Sequence, residues 1–128
     1  MAVQSVSKGV HMSPRKVGVV ASLVRGRSVE DALTILSHTP RRSVLPLQKA
    51  IESARANADH NHDLKPETLQ IVSITVNHGV RFKRYRPAAQ GRALPFQRRT
   101  SHITVIVDGE KRAPKKPAAK AAANKETK

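Results

Sequence analysis

Val17, Val20, Ala21 and Val24 recur at the three- and four-residue spacing that lines one face of a helix. Ser13 stands ahead of them as a residue able to cap the first amides. Pro14 suits the first helical position, where its missing N–H costs nothing, and Gly26 supplies the left-handed residue that closes a helix. "RSVEDALTILSH" repeats the grammar: Ser28 caps, Glu30 and Asp31 sit where the helix dipole favours anions, and Ala32, Leu33, Ile35 and Leu36 form the apolar side. A third helix is predicted to open at Thr39 and Pro40, with Leu47, Ala50, Ile51, Ala54 and Ala58 on its inner face. Pro46 should kink that helix or delay its start. "DHNHDLKPE" at 59–67 reads as a loop.

A second periodicity, of two residues, marks the strands. Residues 2–12 read as a short strand. "LQIVSITVN" at 69–77 sets Val72, Ile74 and Val76 against Ser73, Thr75 and Asn77, the pattern of a half-buried strand, and "ITVIV" at 103–107 is its expected partner. Between residues 80 and 103 the strand signal stops. That gap is too long for an ordinary loop in a compact domain. Within it, Pro87 and Gly91 mark a turn centre in "RPAAQGRA", so the flanks are expected to pair as two arms of a hairpin. Arms of about ten residues at ~3.3 Å per residue would reach roughly 30 Å. After Asp108, "GEKRAPKKPAAKAAANKETK" offers nothing to bury, and residues 109–128 read as a disordered tail.

Charge changes the picture most. The chain has 128 residues and a formal net charge of +15, with 24 Lys and Arg against 9 Asp and Glu. Such an excess repels itself, and a polyanionic partner is the simple explanation. A bilayer span needs roughly 20 apolar residues, whereas the longest compact apolar run here is the strand-sized one at 103–107. "MAVQSVSKGVHM" has no apolar centre and is read as no secretory signal. Nucleic acid is therefore favoured over membrane.

Enzymatic chemistry finds little support. With no cysteine, thiolate nucleophiles, disulfides and thiolate zinc sites are excluded. No carboxylate occurs from Thr68 to Val107, so the strand region has no acid–base pair to offer. His60 and His62 in "DHNHD" have metal-ligating chemistry, but the stretch reads better as a hydrophilic loop. No cofactor or metal is called for.

Basic pairs instead recur at element boundaries: Arg15 with Lys16, Arg25 with Arg27, Arg41 with Arg42, Lys83 with Arg84, and Arg98 with Arg99. Their shared placement points to phosphate contacts. Residues 81–102, "RFKRYRPAAQGRALPFQRRTSH", hold seven Lys and Arg and no carboxylate, along with all three aromatic residues of the chain: Phe82, Tyr85 and Phe96. A two-stranded ribbon of that kind is marginal in free solution and needs a mould. Folded RNA, which presents phosphates from several sides, fits better than a smooth duplex. A DNA-binding module is the rival, with the two short helices around Gly26 and Arg27 as a helix-turn-helix and the tail as a compacting segment. It leaves the hairpin without a use.

"SPRKV", "LVRGRSVEDALTIL", "TPRR", "ESARANADHNH", "KRYRPAAQGRA" and "RRTSHITVIV" follow one another across residues 3–108. Together they resemble the family of the twenty-second protein of the bacterial large ribosomal subunit. The resemblance implies an α+β domain of three helices on a three-stranded antiparallel sheet. Its body would span 1–80 and 100–108, and a protruding hairpin 81–99. It implies a cytoplasmic, ribosome-bound and non-enzymatic protein with no stable homo-oligomer. Such a protein binds large-subunit ribosomal RNA, supports assembly and lines the polypeptide exit tunnel beside the fourth large-subunit protein, in contact with the nascent polypeptide. On this chain the implied RNA contacts are Ser13, Arg15, Lys16, Arg25, Arg27, Lys83, Arg84, Arg98, Arg99, Ser101 and His102. The implied tunnel-lining tip is Arg86, Pro87, Ala88, Ala89, Gln90, Gly91 and Arg92.

The chain departs from the family pattern in places. Ala88 stands where another Arg is usual, and "LPFQ" at 94–97 replaces a more basic stretch. Pro95 is expected to break the strand pairing there. Arg55 takes a usually small or apolar helix position and is expected to turn toward RNA.

Overall fold

The computed structural model of the protein describes residues 2–112. Strand β1 (Val3–Val10) and strand β2 (Gln70–Pro87) flank β3 (Ala93–Asp108), all antiparallel, in the order β1-β3-β2. Helices α1 (Pro14–Val24), α2 (Val29–His38) and α3 (Val44–His62) cover one face of this sheet. The architecture is α+β, as the resemblance implied.

Side-chain alternation explains which face is covered. Val3, Val107 and Ile71 lie in one cross-strand row, Ser5, Val105 and Ile74 in the next, and Ser7, Ile103 and Val76 in the third. Most of these residues are buried against Val17, Val20, Val24, Leu36, Leu47 and Ile51 of the helices. The neighbouring rows, with Gln4, Val6 and Thr75, face solvent. Expected inward residues of α1 and α3 are buried as the periodicity required, whereas Leu33 and Ile35 of α2 are only partly so.

Val72 is the exception among the strands. It is largely exposed, and Ile71 takes the inward place. The pairing shifts between Ile71 and Ser73, so Val72 occupies a bulge. One extra residue reverses the face of everything before it.

Helix α3 also departs from expectation. It starts at Val44, after a link in which the Arg41 amide donates to the Thr39 carbonyl and the Val44 amide to the Arg41 carbonyl. Pro46 therefore falls in the first turn, where no intrahelical N–H bond is lost. The proline delays the helix and does not kink it. At the other end, residues 59–62 are helical, not loop, and Asp63 ends the helix in the left-handed conformation at φ 50°.

The edge of β2 is protected by the connection between α1 and α2. The Gly26 amide donates to the Ile71 carbonyl, the Ile71 amide to the Arg27 carbonyl and the Val29 amide to the Leu69 carbonyl. A free strand edge invites pairing with other chains, and this connection occupies it. Beyond the body, β2 and β3 continue alone as a two-stranded ribbon, 81–87 against 93–99. Seven residue pairs at ~3.3 Å each reach about 23 Å, shorter than the roughly 30 Å expected. Pro95 stays in register opposite Tyr85, against the expectation of a break. On a ribbon without further neighbours every second amide faces outward, so a proline at such a position removes no ladder bond.

Residues 109–112 remain on the body. The Lys65 amide donates to the Glu110 carbonyl, the Arg112 amide to the Asp63 carbonyl, and the Arg112 guanidinium sits 3.3 Å from the Asp59 carboxylate. The rest of the expected tail lies outside the described residues.

Candidate nucleic-acid interface

Three segments distant in sequence meet where the ribbon leaves the sheet. The turn after β1 brings His11, Met12, Ser13 and Lys16, and the link before α3 brings Arg41, Arg42 and Ser43. The ribbon root brings Phe82, Arg84, Arg98, Arg99 and Thr100. They enclose an open concavity of about 870 Å³ with six cations and no carboxylate in its lining. Among the described residues, none of these cations is paired with an acid.

Two helix starts open onto the same concavity. Ser13 and Ser43 are the N-cap residues of α1 and α3, and neither side chain makes a capping hydrogen bond. At Ser13 the backbone carbonyl, not the expected hydroxyl, takes the amides of Lys16 and Val17, at 3.0 and 3.2 Å. Neither helix has an acidic residue in its first turn. Helix α2, which starts elsewhere, has both devices: Glu30 and Asp31 in the first turn, and Ser28 Oγ accepting from the Asp31 amide at 3.2 Å. Uncompensated N–H groups and the positive end of the dipole make a helix start a ready anion site. The concavity thus combines exposed cationic side chains with the positive ends of two helix dipoles, an arrangement suited to phosphate.

The root of the ribbon is shaped by a second bulge, between His78 and Arg81. Thr100 packs beneath it at 4% exposure and donates its hydroxyl to the Val80 carbonyl at 2.7 Å. A methyl group on Gly79 would lie 2.4 Å from Thr100 Oγ1, so only glycine fits. At the far end Gln90 and Gly91 both take positive φ, 60° and 70°, and the Ala88 amide closes the turn on the Arg92 carbonyl at 2.8 Å. The glycine was expected there; the left-handed Gln90 was not.

The match to known proteins now decides the family. The family model described as ribosomal protein L22p/L17e matches residues 5–108. The chain is 45% identical over 111 residues to large ribosomal subunit protein uL22 of Clostridioides difficile, covering 87% of this chain and 100% of that protein. Proteins of the same name from Oceanobacillus iheyensis and Clostridium tetani are 45% and 46% identical, covering 87% and 84% of this chain and 98% and 96% of those proteins. The chain belongs to the ribosomal protein L22p/L17e family.

As a member of that family it is a structural constituent of the large ribosomal subunit and not an enzyme. The contact residues implied by the resemblance divide sharply. Ser13, Lys16, Arg84, Arg98 and Arg99 converge on the concavity, Arg15 is exposed just outside it, and Lys83 lies beside a shallower hollow with Pro95, Phe96 and Gln97.

Arg25 and Arg27 are exposed, lie outside the concavity and donate to carbonyls of the fold. The Arg25 guanidinium donates twice to the Ile74 carbonyl, at 3.1 and 2.8 Å, extending the cover of the β2 edge. Arg27 donates to the Leu23 carbonyl at 3.0 Å. Ser101 sits on the central strand between Val10 and His78, at 0% exposure, and does not line the concavity. His102 is half-buried and accepts the Gly9 amide on Nδ1 at 3.0 Å, which commits that nitrogen to holding β1 on β3.

Arg41 and Arg42, read from the sequence only as one basic pair among several, take a central place in the concavity. Their signal was the proline at position 46, which pushes the helix start beyond them and leaves them in a link. His11 and Met12 had no sequence signal. Arg55 is half-buried on α3 and does not line the concavity.

Proposed function

We propose that the protein binds large-subunit ribosomal RNA with the concavity and the ribbon, and thereby supports assembly of the subunit. One observation carries this proposal: six cations and two uncapped helix starts converge on one carboxylate-free hollow. Charges of one sign gathered without counter-charges repel one another until a polyanion enters. An RNA segment turning at the base of the ribbon would offer several phosphates to that hollow at once, while the ribbon passes on between RNA helices. The tip, 86–92, would then reach the exit tunnel beside the fourth large-subunit protein and meet the nascent polypeptide. Family membership supports that finer placement, and the exposed, closed turn at Ala88 and Arg92 suits it.

The test is the salt dependence of binding to large-subunit ribosomal RNA. Each phosphate neutralised contributes ~0.7–0.9 to the slope of log affinity against log salt. Changing Arg42, Arg84 and Arg98 singly to Ala should flatten the slope by somewhat under one unit each. Three slopes indistinguishable from that of the unaltered protein would remove the concavity from the interface.

A further inference from the structure

The two faces of the ribbon differ in chemistry. Register places Phe82 opposite Arg98, Arg84 opposite Phe96, and Arg86 opposite Leu94. On this even-numbered face every guanidinium has an apolar partner across the ladder, and no two cations stand opposite each other. The Arg84 guanidinium lies 5.9 Å from the centre of the Phe82 ring, and that of Arg86 lies 5.0 Å from the centre of the Phe96 ring. Both distances are in the range of cation–π attraction. The odd-numbered face is built otherwise, with Arg81 directly opposite Arg99 and Lys83 opposite Gln97. Like charges opposed on a ladder are unfavourable unless an anion lies between them.

Resting on the RNA-binding proposal above, we infer that the rings of the even-numbered face, Phe82 and Phe96, receive unpaired nucleobases by stacking, while the cations that border them, Arg84 and Arg98 of the concavity included, and the odd-numbered face take phosphates. Rings and guanidinium planes are the groups on which bases stack whatever their sequence, and the face offers both kinds without a carboxylate. Phosphate binding gains nothing from Phe82, which lines the concavity beside Arg84 and Arg98, is 40% exposed and stands outside the apolar core. Spacing fits as well. Two residues of strand advance ~6.7 Å, about twice the ~3.4 Å rise between neighbouring bases. One base therefore fits between successive side chains of this face. Tyr85 is 75% exposed on the other face, but its opposite neighbour is Pro95 and no guanidinium stands across from it.

The experiment compares the full-length protein binding two probes of equal charge: an oligouridylate of about twelve nucleotides, and an abasic ribose-phosphate chain of the same length. Stacking of two bases should favour the first by at least about tenfold. Replacing both rings, Phe82→Ile with Phe96→Ile, keeps strand propensity and should reduce that preference to about threefold or less, with the salt slope unchanged. Arg81→Gln with Arg99→Gln should do the reverse, flattening the slope for both probes and keeping the preference. Equal affinity of the unaltered protein for the two probes overturns the inference. So does a preference that survives loss of both rings, or one that vanishes instead on Tyr85→Leu. Failure to bind either probe would count against RNA binding itself, a separate result.

Discussion

Gly79→Ala is the sharpest test of how the ribbon is joined to the body. The added methyl would meet Thr100 Oγ1 at 2.4 Å, the Thr100 carbonyl carbon at 3.2 Å and His102 Cε1 at 3.3 Å. Rotating the Thr100 hydroxyl away relieves the first contact but breaks its 2.7 Å bond to the Val80 carbonyl. The second contact is with backbone and does not rotate. Overpacking of this kind costs ~1–3 kcal/mol, and a lost, partly buried hydrogen bond adds about 1. The expected loss is therefore ~2–4 kcal/mol, a large share of the ~5–15 kcal/mol that holds a typical domain. Urea unfolding followed by circular dichroism measures it, with an unchanged m-value showing that the same surface is exposed. A double-mutant cycle isolates the cause. Thr100→Ala removes the clashing oxygen, so the double variant should be more stable than the sum of the single losses by at least about 1 kcal/mol. A Gly79→Ala variant within ~0.5 kcal/mol of the unaltered protein, or strict additivity in the cycle, would refute the account.

Arg25→Ala should lower stability by about 1–2 kcal/mol, because a charged donor gives two bonds to the Ile74 carbonyl; urea unfolding checks this, and the salt slope of RNA binding should stay as it was. Deleting residues 88–91 removes no cation, so mutant subunits should assemble at near-normal yield while their response to tunnel-bound macrolides or stalling peptides changes. Quantifying the protein per large subunit checks the first half of that expectation, and severe depletion would make the turn a register-setting element instead.

Much of the body was legible in the sequence because its elements each bury one face. Val17, Val20, Ala21 and Val24, or Leu47, Ile51 and Ala54, carry the period of the surface they pack against. The failures have equally physical causes. Val72 looked inward because alternation counts residues, and a bulge adds one without any mark in composition. The start of α3 was misplaced because "TPRR" permits a helix, whereas Pro46 settles the matter only through its position in the first turn. The ribbon was legible only through its turn centre: it pairs continuously from Arg81 to Pro87, as expected, although no strand pattern appears there. With solvent on both faces, neither face selects apolar side chains, so the two-residue period has nothing to report. As for the interface, the sequence revealed which residues are cationic but not which of them meet. Arg25 and Arg42 look alike in a linear reading. The sheet order sends one to a strand edge and the other to the concavity.

The distribution of the acids completes the electrostatic design. Asp59, Asp63, Glu67, Asp108 and Glu110 account for five of the nine carboxylates. They gather around the C-terminal end of α3 and the strap that binds Lys65 to Glu110 and Asp59 to Arg112. The concavity lies at the other end of that helix, at Ser43. Helix α3 has 19 residues, so at 1.5 Å each about 28 Å separates the two regions. That is about three and a half times the screening length of ~8 Å at physiological salt. The acids therefore do little to neutralise the cations of the concavity, and instead offset the neighbouring Lys65, Lys111 and Arg112 at their own end of the body. The dipole of α3 points the same way, with its positive end in the hollow. On the RNA-binding proposal, a phosphate backbone would accordingly be held at the root of the ribbon, and the ribbon, projecting from that end, is the part that would enter the RNA.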